Sequence, residues 1–294
     1  MVKRLGGPES GVLLLLADFL RAQTSLTSLD LQHAGLEADQ AFQLLQTAAG
    51  ASESSVQVLS IPEIISPLPG YEVALDPRLL SLLARFTALT ELSLSHAYLS
   101  DDLLFLLAFT VTFTLTQISV WAGYAARVES RTSSAAWKHL TVRCPRLTAS
   151  FAVKGIKRDQ CLKVVLTPGI PLARLQLSIS GFITVSSTSA CCQHIAAHFH
   201  ESLQYLELDL HITKLDVGDD LTALVEQCRN LESVHLASSV SDFGQEMSLK
   251  RAVRRAMIRQ PRSKLKVVTF NGEEFGLRET WSTTLMDWLM ERLQ

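Results

Sequence analysis

The decapeptide "CCQHIAAHFH", residues 191–200, holds the densest set of reactive side chains in the sequence. On a helix, Cys191, His194 and His198 share one face at i, i+3 and i+7. Thiolate and imidazole are zinc ligands, but a closed zinc site needs a fourth ligand and a second shell of carboxylates or carbonyls. The flanking sequence offers neither, so the segment reads as a repeat helix with cysteines in the core and histidines toward solvent, without stoichiometric zinc. The overlapping "HESLQ" at His200 begins like a zincin motif but has Gln204 where the second histidine is required. No G-x-x-x-x-G-K-[ST], G-x-G-x-x-G or G-x-S-x-G occurs, so phosphate cradles and nucleophile elbows lack local support. The sequence therefore assigns no catalytic residue, no cofactor and no metal, and the chain is expected not to be an enzyme.

Charge is patterned along the chain. Lys250, Arg251, Arg254, Arg255, Arg259, Arg262, Lys264 and Lys266 fall within 250–266 without an acid. That stretch reads as an import signal or a polyanion patch. It reads better as the solvent face of the last repeat helix, with Ala252, Val253, Ala256, Met257 and Ile258 as its buried side. Residues 201–220 are acidic instead, with Glu201, Glu207, Asp209, Asp216, Asp219 and Asp220 against Lys214. The formal net charge is −2, so nothing global favours nucleic acid.

At 294 residues and 47% hydrophobic, the chain can bury a large core without disulfides or metal. Its cysteines (Cys144, Cys161, Cys191, Cys192, Cys228) are odd in number and irregularly spaced, with no C-x-x-C, which fits a reducing cytoplasmic or nuclear compartment. Residues 103–126 carry no charge and are long enough to cross a bilayer. Yet Phe109 to Val120 alternates apolar and polar, which predicts a strand with one buried face rather than a membrane span. The N-terminal apolar run is bracketed by Glu9 and Asp18 and reads as an amphipathic helix, Gly11 to Arg21, not a signal peptide. Residues 1–24 are assigned to an N-terminal capping helix.

The elements that must position these residues come from a repeat. "LTELSLSHAYLSDDLLFLLA", residues 89–108, is strand-like at first and helix-like at the end, and Leu89, Leu92 and Leu94 are spaced L-x-x-L-x-L. The spacing recurs from Leu26, Val56, Leu115, Leu172, Leu203, Leu231 and Leu265. A degenerate copy starts at Leu147, where Ser150 replaces an apolar residue and Phe151 takes over by a bulge. About nine units of about thirty residues over 25–294 make an irregular leucine-rich-repeat solenoid, an α/β horseshoe with a parallel sheet on the concave side and helices on the convex side. Strands are expected near Leu29, Leu59, Leu92, Ile118, Leu175, Leu206, Val234 and Val268. Ser100-Asp101-Asp102 is a helix start, with a capping oxygen and carboxylates at the positive helix end.

In "LTVRCPRLTASFAV" from Leu140 and "LVEQCRNLESVHL" from Leu224, a cysteine ends the helix three residues before the next strand's first leucine. With "AAWKHL" leading into the first, this resembles the cysteine-type repeats of the F-box/leucine-rich-repeat proteins. The resemblance implies the substrate-recognition part of an SCF-type ubiquitin ligase receptor, a protein-interaction module whose ligase chemistry belongs to other subunits. The F-box itself, a helical segment commonly opening with Leu-Pro, is not found in residues 1–25. The Leu-Pro of "PLPGYEVALDPRLLSLLARF" from Pro67 falls in a loop before a repeat helix. Binding of the Skp adaptor is expected only with an upstream F-box. The alternative is a free-standing leucine-rich-repeat scaffold or inhibitor.

A protein partner is expected on the concave face, where the third, fifth and seventh places of each repeat point out. The residues singled out there are Glu91, Gln117, Trp121, Arg174, Gln176, Tyr205, Glu207, Asp209 and His235. Trp121, Arg174 and Tyr205 stand out because such side chains most often anchor interfaces, although Trp121 also reads as core tucked under the following loop.

Overall fold

The computed structural model describes residues 9–32, 34, 36, 38–61, 77–111, 114–123, 132–156, 159–180, 185–211, 218–238, 264–271 and 273–274. They form two compact units. Unit 1 comprises Met1–Ser150 with Gly169–Pro171, and unit 2 comprises Phe151–Pro168 with Leu172–Gln294. The basic segment 250–263 and the loop 67–76 lie outside the described residues.

Unit 1 alternates helix and strand: α1 (Glu9–Ala22), β1 (Ser28–Asp30), α2 (Ala38–Ser52), β2 (Val58–Ile61), α3 (Pro77–Leu83), β3 (Glu91–Ser95), a 3-10 turn (His96–Tyr98), α4 (Asp101–Thr110), β4 (Gln117–Ala122) and α5 (Ser134–Arg143). Strand β5 (Thr148–Ile156) contains the unit boundary. Unit 2 continues with α6 (Asp159–Val165), β6 (Leu172–Ser180), α7 (Val185–Phe199), β7 (Tyr205–His211), α8 (Gly218–Gln227), β8 (Ser233–Ser238), β9 (Val267–Phe270) and β10 (Glu273–Glu274). This is the α/β leucine-rich-repeat fold.

From β1 to β8 each strand is followed by a helix before the next, and a helical crossover brings the chain back parallel. In unit 1, β1 to β4 pair in sequence order, all parallel, with Leu29, Leu59, Leu92 and Ile118 in one register column. In unit 2, β6 to β9 do the same, with Leu175, Leu206, Val234 and Val268 aligned. These eight side chains are all buried. They are the positions at which the repeat spacing sets strand centres.

The register is fixed by more than leucine packing. In five repeats the residue after the first apolar residue presents a carbonyl that accepts two amides of the next repeat. Thr27 accepts from Gln57 and Val58, Gln57 from Thr90 and Glu91, and Thr90 from Thr116 and Gln117, at 2.8–3.1 Å. In unit 2, Gln204 accepts from Glu232 and Ser233, and Glu232 from Lys266 and Val267, at 2.7–3.2 Å. Threonine reinforces this in unit 1, where the Thr90, Thr116 and Thr148 hydroxyls each donate at 3.1 Å to the carbonyl behind them. "Leu-Thr" at 26, 89, 115 and 147 is the visible trace of this ladder.

The helix starts also follow the sequence. Ser100 Oγ accepts from Leu103 N–H and Ser133 Oγ from Ala136 N–H, each at 3.2 Å. Asp101 Oδ1 accepts the Ser133 N–H at 2.6 Å, which ties the start of α4 to the cap of α5. Leu103, Leu104 and Leu107 are completely buried, because neighbouring repeats cover what one repeat exposes.

Three expectations need correction. Phe109 to Val120 is not one strand. α4 runs through Thr110 and its Val111 cap N–H bonds to Leu107, so β4 begins only at Gln117. Val111, Leu115, Ile118 and Val120 are all buried, whereas Phe109 projects into solvent. The alternation mixed the inward residues of a helix end and of a strand. At the degenerate copy, Ala149, Phe151 and Val153 are the buried residues of β5. Phe151 does take the inward place, but the inward set sits one residue earlier than the repeat spacing gives. Finally, β10 pairs antiparallel with β9 across Asn271, whose φ of 49° is a conformation that asparagine tolerates. Among the described residues no helix is long and apolar enough to cross a membrane.

Leu92 and Leu206 are 1% and 0% exposed. Replacing either by Ala should lower unfolding free energy by ~2–5 kcal/mol in a urea titration. A loss under ~1 kcal/mol would mean that the site collapses around the deletion.

Candidate interaction site

Strand alternation that turns one set of side chains into the core turns the other set out. In unit 2 the outward columns bring together six of the residues marked from sequence. Arg174 is in register with Tyr205, Gln176 with Glu207 and then His235, and Ser178 with Asp209. The Arg174 guanidinium lies 4.5 Å from the centre of the Tyr205 ring. On β8, the His235 ring stands 4.9 Å from Tyr205, inclined by 34°. Arginine, phenol and imidazole thus form a row across β6, β7 and β8.

Polar bonds hold that row in place. Tyr205 O–H and Gln176 Nε2 each donate to Glu207 Oε2 at 2.9 Å. His235 Nδ1 bonds Thr269 Oγ1 at 2.8 Å, and Ser178 Oγ donates to Asp209 Oδ2 at 3.3 Å. Burial first, and then the bond to the Glu207 carboxylate, pushes the Tyr205 phenol above its ordinary range. Tyr205 is therefore a fixed donor at neutral pH, not a nucleophile. Arg174 and Gln176 are exposed, while Tyr205, Glu207, Asp209 and His235 are half-buried. The arrangement suits contact with another surface: flat rings, forked donors and carboxylates, with few rotamers left to freeze.

The remaining three marked residues belong to unit 1. Glu91 and Gln117 are exposed and in register, and Gln117 Nε2 donates to Ser119 Oγ at 3.0 Å. Trp121 is half-buried, with its indole laid against Gly123 so closely that a Cβ there would collide with the ring. Trp121 is thus partly folded onto its own loop, and a side chain at position 123 would have to displace the ring.

The cysteine–histidine helix is α7. Cys191 and Cys192 are buried, and His198 is exposed. Burial, with help from Cys191, Asp220 and Cys228, pushes the Cys192 thiol up to about 12. Burial likewise pushes Cys228 to about 12. Thiols held so far from ionisation are poor ligands and poor nucleophiles. His194 departs from the expected solvent-facing position. It is half-buried, donates Nε2–H to the Leu166 carbonyl at 2.9 Å, and lies 4.8 Å from the His198 ring. Among the described residues no group of three or more His, Cys, Asp or Glu side chains is placed to hold a metal ion.

The two cysteine joints share one geometry. Cys144 and Cys228 each close the last helical bond, to Leu140 and Leu224, and each carbonyl accepts the N–H of the following leucine, Leu147 or Leu231. Val111 closes α4 onto Leu107 in the same way and is equally buried. What the three positions share is burial, and at Cys144 the thiol also donates to the Val111 carbonyl at 3.7 Å.

No family model matches the chain, and no curated protein matches it in sequence. Among solved structures it is similar to the leucine-rich repeat-containing protein LegL7 from Legionella pneumophila, at 16% identity, with a TM-score of 0.47 and 92% of each chain covered.

Two measurements check these electrostatics. Glu207→Gln removes the carboxylate that raises Tyr205, so the ultraviolet titration of that phenol should move toward lower pH. An unchanged titration would show that the contact is not held in solution. For His194, burial, opposed by the Leu166 bond and aided by His198 and Lys163, lowers its pKa from 6.5. The unfolded chain therefore binds the proton more tightly. The stability contribution is complete above about pH 6.5 and is lost as pH falls through the lower folded value. His194→Gln, which keeps a donor for the Leu166 carbonyl, should flatten the dependence of the thermal midpoint on pH in that range.

Proposed function

We propose that the chain is a protein-interaction module that docks a protein partner on its solvent-facing strand columns. The observation that carries this is the Arg174–Tyr205–His235 row, pinned by Glu207, Gln176 and Thr269. Tyr and Arg are the side chains over-represented among interface anchors, and a row already ordered in the free protein loses little entropy on binding. Glu91, Gln117 and Trp121 are proposed as further contacts in unit 1, and Asp209 in unit 2. With an identified partner, Arg174→Ala or Tyr205→Ala should weaken binding by ~1–3 kcal/mol in calorimetry while the circular dichroism stays that of the wild type. Wild-type affinity in both would move the site to loops or helices.

The finer reading is the substrate-recognition part of an SCF-type ubiquitin ligase receptor, working in the cytoplasm or nucleus. Its support is the pair of cysteine-ended helices at Cys144 and Cys228. Co-purification of the Skp adaptor with the full-length gene product would support it, and loss of the adaptor at every stage would remove it. A free-standing scaffold or inhibitor is the second reading. Val111 favours it, because an ordinary aliphatic residue serves the same joint as the cysteines.

A further inference from the structure

The first helix carries apolar residues on more than one face, with Leu14, 58% exposed, apart from the two main ones. Ala17 and Leu20 are buried where α1 packs on α2. A second stripe, Val12, Leu15, Leu16 and Phe19, is 66%, 71%, 36% and 57% exposed. Its spacing of i, i+3, i+4 and i+7 is that of a helix face which meets another element.

The stripe has a property that selects its occupant. Val-x-x-Leu-Leu-x-x-Phe is symmetric in spacing about the midpoint between Leu15 and Leu16. A second copy laid antiparallel across a twofold axis at that midpoint sets Leu15 opposite Leu16 of the other chain. It also sets small Val12 opposite large Phe19, so one side fills what the other leaves. A parallel copy would oppose Phe19 to Phe19 and Val12 to Val12, which packs unevenly. Antiparallel pairing further opposes the two helix dipoles favourably. A twofold interface is isologous and needs this self-complementarity.

We infer that the chain forms a twofold homodimer through the antiparallel packing of α1 on α1 along Val12, Leu15, Leu16 and Phe19. Four side chains of one short helix cover less than the ~1,200 Å² of a standard interface, so the dimer is weak and dissociates on dilution through the micromolar range.

The test is sedimentation equilibrium on the full chain, with two double variants, L15E/L16E and L15K/L16K. Wild type should approach twice the monomer mass with rising concentration. Each variant alone should stay monomeric with an unchanged thermal midpoint, and an equimolar mixture of the two should regain the double mass through opposite charges across the axis. In a cysteine series, V12C mixed with F19C should cross-link faster than either variant with itself. A wild type that is monomeric throughout, variants that associate like wild type, or fastest cross-linking of V12C to V12C would each overturn the proposal. So would a monomer whose stripe is taken up by a different chain.

Discussion

A strand of three to nine residues in a parallel sheet satisfies almost none of its own backbone, and the helix behind it cannot hide its own leucines. Both debts fall on the adjacent repeat. The carbonyl after the first apolar residue shows how tightly the coupling is drawn: at Thr27, Gln57, Thr90, Gln204 and Glu232 one oxygen takes two amides from the repeat ahead, and at Gln57 and Thr90 a threonine hydroxyl as well. A one-residue slip would break these bonds and turn every inward leucine to solvent at once. Register is therefore held by hydrogen bonding and burial together.

The candidate site is a consequence of that constraint. Once Leu175, Leu206 and Val234 point inward in register, Arg174, Tyr205 and His235 have only the other face to occupy. Strands one hydrogen-bond spacing apart put their side chains in stacking range, and that is how a cation, a phenol and an imidazole come to share a row. The carboxylate of Glu207 then does two things. It fixes the phenol by accepting its hydrogen bond, and it keeps that phenol protonated.

The strand centres and the outward columns were legible because period-two alternation and the L-x-x-L-x-L spacing report burial, and burial decides which way a residue points. Reading burial alone also caused the failures. Val111 and Leu115 are inward-facing like Ile118, although one caps a helix and another precedes a strand, so alternation could not find the helix end. At Leu147 the sequence pointed to Phe151 as the inward residue, but the L-x-x-L-x-L spacing did not place Ala149 beside it. The bond of His194 to the Leu166 carbonyl was out of reach, since it joins residues 28 apart through a helix packing that no local pattern encodes. The row itself could be listed from sequence, but not its pairing, which depends on rotamers.

The strand series also have ends, and an exposed sheet edge invites pairing with other chains. In unit 2 the short antiparallel β10, turned at Asn271, pairs with Thr269 and Phe270, so part of the β9 edge is met from within the chain. In unit 1 the first strand is kept to three residues, and Asp30 turns its carboxylate back onto the Gln32 amide, which shortens the edge instead of covering it. Shortening β1 protects the backbone but leaves the helix layer unguarded, because α1 must still be apolar toward α2 and, being apolar on a second face as well, presents that face to whatever can match it. The edge of the sheet and the edge of the helix layer are therefore separate problems, and in unit 1 only the first is solved within the described residues.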